Sequence, residues 1–263
     1  MPKVRYERVG AAAVLTIDRR ERRNAVDVET AALLLDGFRE FEGDDSARAL
    51  VLTGDGPEAF CAGADLKAMA EAGADLSSDV LDSVAGRPEG PMGFTRLIAS
   101  KPTLAAISGW CLAGGLELAL WCDLRIATES ARLGFTERRF GVPLIDGGTQ
   151  RLPLVVGMGR ALEMILTGRV LDAAEALDWG LLNEVVAEGT HLERALEIAD
   201  GLAAFPQPTM LSDRRAAIEG AGLPLGDGLA LEAELGRASV ETGLRGAARF
   251  AAGEGRGAQG AGV

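Results

Sequence analysis

Between Gly109 and Asp123 the chain reads GWCLAGGLELALWCD, and from Trp110 to Cys122 it is apolar apart from its glycines and one carboxylate, Glu117. A carboxylate in such a run is expected to be buried, and a buried charge either finds partners or shifts its proton affinity. Just upstream, Ala113-Gly114-Gly115 opens the helical run Leu116–Trp121. Small residues there leave the unpaired N–H groups of a helix start open to an anion. A second small-residue turn, Gly63-Ala64-Asp65, lies in FCAGADLKAM, between an apolar strand and a short helix. Two such amides converging on one oxygen would form an oxyanion hole, worth roughly 3 to 4 kcal/mol per donor in a transition state.

Alternating strands and helices must position these groups. Val4–Val9 and Ala12–Ile17 read as a hairpin around Gly10, and Asp27–Phe41 carries Val28, Leu35 and Phe38 on a helical stripe. Ala49–Thr53, Thr103–Ile107 and Leu124–Ala127 read as buried strands. Gly159–Thr167, Asp172–Trp179 and most of Leu192–Gly220 read as helix, so the last third is mainly helical. The recurring strand, strand, helix order suits a spiral of similar turns. Glu71–Gly93, with Gly73, Gly86, Pro88, Gly90 and Pro91, is expected to be a mobile loop or short helix over a site, and the tail GEGRGAQGAGV to fray.

Composition narrows the setting. A chain of 263 residues, 48% hydrophobic, can bury a full core. The charge balance of 27 basic against 39 acidic residues, net −12, without a basic run, argues against a nucleic-acid or anionic-membrane surface. Cys61, Cys111 and Cys122 are odd in number and form no CxxC pair, which disfavours a disulfide framework or a zinc site. The lone His191 offers no triad or metal centre. MPKVRYERVG lacks an apolar signal core and no apolar run reaches 18 residues, so a cytoplasmic protein is expected.

Three segments, AFCAGADLKAM, KPTLAAISGWCLAGGLELALWCDLRIA and LGFTERRFGVPLIDGGTQRLP, together resemble the crotonase superfamily, and enoyl-CoA hydratases in particular. The resemblance runs from about Val14 through the helical tail. It implies an α/β fold in which a spiral of ββα turns forms the core (residues 1–195), followed by a C-terminal helical region (196–263) that drives trimerisation, often to a hexamer. It places the oxyanion-hole amides on Ala64 and Gly114 and the two catalytic glutamates at Glu117 and Glu137. The implied reaction adds water across the 2,3 double bond of a 2-enoyl-CoA thioester, with Glu117 accepting a proton from water and Glu137 supplying one to C2. Coenzyme A enters as part of the substrate, with no permanently bound cofactor and no metal. Along it would run the loop Asp18–Ala25, with Ala25 and with Arg22 or Arg23 near phosphate, and the segment Ala62–Leu66, including Asp65 and Leu66.

The nearest alternative is an enoyl-CoA or dienoyl-CoA isomerase, which needs only one base. A different class, non-catalytic acyl-CoA or RNA binding, is disfavoured by the paired glutamates and the acidic charge. Two departures from the pattern stand out. Gly246 and Phe250 keep the C-terminal signature, but Ala251-Ala252-Gly253-Glu254 follows where relatives commonly carry a Lys/Arg pair. Many hydratases have Pro-Gly-Ala-Gly-Gly where this chain has Leu144-Ile145-Asp146-Gly147-Gly148. Asp146 is expected to be a helix N-cap ahead of Gly147–Leu152, the alternative being an additional acid in the acyl pocket.

Overall fold

The computed structural model describes residues 2–71 and 86–254. Most of the loop expected over the site (72–85) and the glycine-rich tail from residue 255 lie outside the described residues. Chain order runs β1 (Val4–Val9), β2 (Ala12–Ile17), α1 (Val28–Gly43), β3 (Ala49–Gly54), β4 (Ala59–Cys61), α2 (Leu66–Glu71), β5 (Thr103–Ile107), β6 (Trp110–Leu112) and α3 (Gly114–Trp121). It continues with β7 (Leu124–Thr128), β8 (Arg132–Gly134), α4 (Gly148–Val156), α5 (Met158–Thr167), β9 (Val170–Asp172), α6 (Ala173–Asp178) and β10 (Glu184–Val186). Helices α7 (His191–Ala204), α8 (Gln207–Gly220), α9 (Leu225–Arg237) and α10 (Val240–Ala251) follow.

The strands sort into two sheets. One has the order β1-β2-β3-β5-β7-β10, the other β4-β6-β8-β9. Apart from the β1-β2 hairpin, neighbours in the first sheet are parallel, and β4, β6 and β8 are parallel in the second. Three successive strand pairs, β3-β4, β5-β6 and β7-β8, therefore each send their first strand to one sheet and their second to the other. This is the spiral that the recurring order predicts.

Every residue of β2, β3 and β5 is buried, as expected for parallel strands covered on both faces. One face packs Leu15, Ile17, Leu50 and Leu52 against α1 and the second sheet, where Phe38, Phe94 and Trp121 form an aromatic cluster with ring centroids 4.4–5.7 Å apart. The other face, with Val14, Val51, Leu104 and Ile126, is covered by Ala195 and Ala199 of α7. That helix thus runs across residue 195 as part of the sheet's cover. The helical run from Leu192 to Gly220 is interrupted at Phe205-Pro206, where proline cannot continue the donor ladder of α7 and instead precedes α8.

The four strands β4, β6, β8 and β9 are three residues each, too short for their alternation to be read from the sequence. All three cysteines are buried free thiols. No helix among the described residues is long and apolar enough to cross a membrane.

Helix α3 and strand β4 approach so closely that Gly115 has no room for a side chain. A Cβ there would overlap the carbonyl of Cys61 and lie 2.9 Å from its Cβ, with no flexible side-chain end to yield. Gly115→Ala is expected to cost about 3 kcal/mol or more of folding free energy. Chemical denaturation checks this, and an unchanged midpoint would contradict the packing described.

Candidate active site

Helix α3 opens abruptly. Ala113 holds φ 53° and ψ −127°, an uncommon conformation for a residue with a side chain, and its own N–H is held by Gly134 O at 2.9 Å. The N–H groups of Gly114 and Gly115 then begin the helix, where no carbonyl of the same helix reaches them. A Cβ on Gly114 would lie 2.9 Å from Sδ of Met92, so the Met92 side chain rests directly on this glycine.

The second small-residue turn is held against the first. Val26 and Ala64 form an isolated parallel bridge in which Val26 N–H donates to Gly63 O and Asp65 N–H donates to Val26 O. In that geometry the Ala64 N–H faces away from the bridge. Gly63 has φ 94°, and a Cβ on it would lie 2.8 Å from Ala113 Cβ and 3.0 Å from Gly114 N. Bare backbone at Gly63 is what lets the two turns touch. The 62–66 segment is further knotted to the 19–27 loop by the buried Arg19, which donates to Ala25 O and forms ion pairs with Asp65 (2.9 Å) and Asp27 (3.0 Å).

Glu117 lies three positions beyond Gly114, on the same helical face. Only 3% of it is exposed, and its Oε1 accepts the N–H groups of Asp146 (3.0 Å) and Gly148 (2.8 Å). Burial raises its pKa to about 7, opposed by the two amides and reinforced by the charges of Asp146 and Glu137. Glu137 sits in a 3-10 turn, Thr136–Phe140, following β8. Both its carboxylate oxygens are buried without a hydrogen-bond partner among the described residues, and burial raises its pKa as well. Gly148 allows the close fit, since a Cβ there would lie 3.0 Å from Glu117 Oε1 and 2.8 Å from the Phe135 ring.

The structure thus brings Ala64, Gly114, Glu117 and Glu137 to one region. Ala25 is buried, Ala62 half-buried and Leu66 exposed along the same segments. Arg22 is half-buried, and its charge acts on the Asp65 carboxylate. The Asp65 carboxylate is committed within the protein, accepting from Arg19 and from Ala68 N–H at the start of α2.

Asp146 corrects the sequence reading. It caps no helix: α4 starts after Gly147, whose φ is 102°, and no side chain caps it. Oδ1 of Asp146 turns instead to the preceding loop, accepting Met92 N–H at 3.0 Å and the Thr95 hydroxyl. Burial raises its pKa. Nothing in the local sequence marks the partners Met92, Thr95 and Arg151 or the buried Arg19, because the contacts Met92–Asp146, Thr95–Asp146, Arg151–Thr95 and Arg19–Asp65 each span 46 to 56 residues.

A family model described as Enoyl-CoA hydratase/isomerase matches residues 7–235. The chain is 36% identical over 232 residues to the short-chain-enoyl-CoA hydratase of Clostridium acetobutylicum, covering 87% of this chain and 85% of that protein. It is 37% identical over 196 residues to the carnitinyl-CoA dehydratase of Salmonella typhi, covering 74% and 72% respectively. The crystal structure of an enoyl-CoA hydratase from Mycobacterium tuberculosis matches with a TM-score of 0.85 at 32% identity, over 95% of this chain and 96% of that one.

The burial of Glu117 has a consequence for stability. Its folded pKa of about 7 exceeds the ordinary 4.5, so the wild-type protein loses stability as pH rises between these values and folding must hold an increasingly costly charge. Glu117→Gln retains an oxygen for the two amides but never ionises. The variant should match the wild type below pH 4.5 and exceed it at pH 8 by up to about 3 kcal/mol. Denaturation curves across this range check the trend, and a gap that fails to widen with pH would refute it.

Proposed function

Because the chain belongs to the enoyl-CoA hydratase/isomerase family, we propose that it is an enoyl-CoA hydratase, adding water reversibly across the 2,3 double bond of a 2-enoyl-CoA thioester. The observation that carries this reading is the unequal pair of buried glutamates. Two backbone amides hold Glu117 through Oε1 and leave its other oxygen available, whereas Glu137 has no protein donor for its carboxylate, and burial raises the proton affinity of both, that of Glu117 to about 7. Raised proton affinity at both positions lets one carboxyl group hold a proton while the other is ionised, which is what water addition requires.

In this mechanism the thioester oxygen accepts the N–H groups of Ala64 and Gly114, which draw electrons from C3. Water attacks C3 and gives a proton to Glu117. Glu137 delivers a proton to C2, completing the addition, and dehydration runs the same steps backwards. Arg22 meets a phosphate of coenzyme A, whose chain passes Ala25, Ala62, Asp65 and Leu66. Asp65 contributes its backbone there, because its carboxylate is already committed to Arg19 and Ala68.

The protein acts as a homotrimer or a dimer of trimers. Met158, Leu162 and Leu166 form an exposed stripe along α5, joined by Leu154 and Phe140, and Leu225, Leu229, Val240 and Leu244 are exposed on α9 and α10. Apolar faces of this extent favour burial between subunits. Sedimentation is expected to give a trimer or hexamer at micromolar concentration. A stable monomer would exclude this assembly.

The reaction is tested with crotonyl-CoA, whose enoyl-thioester absorbance falls on hydration. Glu117→Gln and Glu137→Gln should each lower kcat by about 10²-fold to 10⁴-fold while coenzyme A thioesters still bind. Turnover near that of the wild type in either variant would remove that residue from the mechanism. A wild-type protein that isomerises a 3-enoyl-CoA faster than it hydrates crotonyl-CoA would replace the hydratase reading with an isomerase.

A further inference from the structure

Asp146 engages four neighbours through three different groups. Its N–H donates to Oε1 of Glu117, its carbonyl accepts from Arg151 at 2.9 Å, and Oδ1 of its carboxylate accepts from Met92 N–H and the Thr95 hydroxyl. Arg151 also donates to Thr95 O at 2.6 Å, so side chain and backbone together join the turn 146–148 to the loop 92–95. Both partners on that loop are buried, and Met92 rests on Gly114. The carboxylate therefore connects the two halves of the site: the amides that hold Glu117 and the segment that covers the start of α3.

We propose that Asp146 is a positioning residue: its carboxylate pins the 146–148 turn to the 92–95 loop, keeping the amides of Asp146 and Gly148 aimed at Oε1 of Glu117 and leaving Oε2 to exchange the proton with water. As a positioning role for catalysis it rests on the hydratase reading. The geometric part, the hold on Glu117, stands independently of which reaction is catalysed. Removing the acceptor leaves two buried donors unsatisfied and frees the turn to shift. A misplacement of about 1 Å at a reacting group can cost on the order of 10²-fold in rate.

The charged groups facing Glu117 are Glu137, Asp146 and Arg151. Asp146→Asn and Asp146→Ala both delete the Asp146 charge and leave the other two in place. They differ in that Asn keeps an oxygen for Met92 and Thr95, so comparing them isolates the hydrogen bonds from the charge. A third variant, Asp146→Ala combined with Thr95→Val, removes one stranded donor without restoring the pin.

Two readouts decide the matter: kcat and KM for crotonyl-CoA, and the titration midpoint of the Glu117 carboxyl followed by carbon-13 NMR and assigned with Glu117→Gln. Asp146→Asn should keep most of kcat, while Asp146→Ala should lose at least about tenfold in kcat with little change in KM. The Glu117 midpoint should lie higher in Asp146→Ala than in Asp146→Asn, because loosened amides no longer favour the carboxylate. The double variant should regain part of the stability lost in Asp146→Ala but not its kcat. Equal midpoints in the Asn and Ala variants, or a kcat that recovers along with stability in the double variant, would overturn the proposal. A wild-type protein inactive on crotonyl-CoA would defeat the hydratase reading, and the order of the two midpoints would still decide whether Asp146 holds Glu117.

Discussion

A carboxylate inside an apolar helix needs donors or a raised proton affinity, and the donors to Glu117 are a pair of backbone amides from a turn 29 and 31 residues further along the chain. Much of the site's architecture serves this contact. Gly147 takes a left-handed conformation so that the turn can present both amides to one oxygen, and Gly148 carries no side chain because Glu117 and Phe135 occupy that space. Arg151 secures the turn through the Asp146 carbonyl. Backbone donors lose less on being fixed than side chains do, since the turn is already ordered by the fold. They also cannot themselves titrate, so the proton inventory of the site is confined to the carboxyl groups.

Helix α3 illustrates how close approach and chemistry are combined. The bare faces of Gly63, Gly114 and Gly115 bring its first turn against β4, the 62–66 segment and Met92. An anion-binding helix start needs open amides, and open amides need neighbours without bulk. The same glycines serve packing on one side and leave the helix start uncovered by side chains of their own on the other.

Much of this could be read from the sequence. The hairpin, α1 and the central strands follow from apolar runs bounded by turn residues, and the predicted Thr103–Ile107 strand coincides with β5. Glu117 stands out because a charge in an apolar run is anomalous, and the turns Gly63-Ala64-Asp65 and Ala113-Gly114-Gly115 because small residues at a helix start are informative, whereas the choice of Ala64, Gly114 and Glu137 rests on the family resemblance. The three-residue strands escaped notice because three residues cannot display a period. Asp146 misleads for a related reason: aspartate before Gly-Gly and a helical run carries the local signature of a cap, whereas the partners of its carboxylate, Met92 and Thr95, lie more than fifty residues earlier. Local patterns report local hydrogen bonds, and this one is not local. Arg19 is hidden likewise, since its ion pair with Asp65 joins segments that the sequence does not juxtapose.

The bond between Gly148 and Glu117 also sets an order of events at the ribosome. The first small-residue turn, the α3 start, Glu137 and the amides that hold Glu117 emerge in that order, the last of them 9 and 11 residues after Glu137. A nascent chain that has exposed everything up to Glu137 therefore has the open helix start and both carboxyl groups but lacks the turn that orients one of them. Loop closure across these separations must precede any reward from the contacts they bring together. The hold on Glu117 thus cannot form until the segment around Gly148 has left the exit tunnel and docked, and the sheet beneath it waits longer still, for β10 and α7.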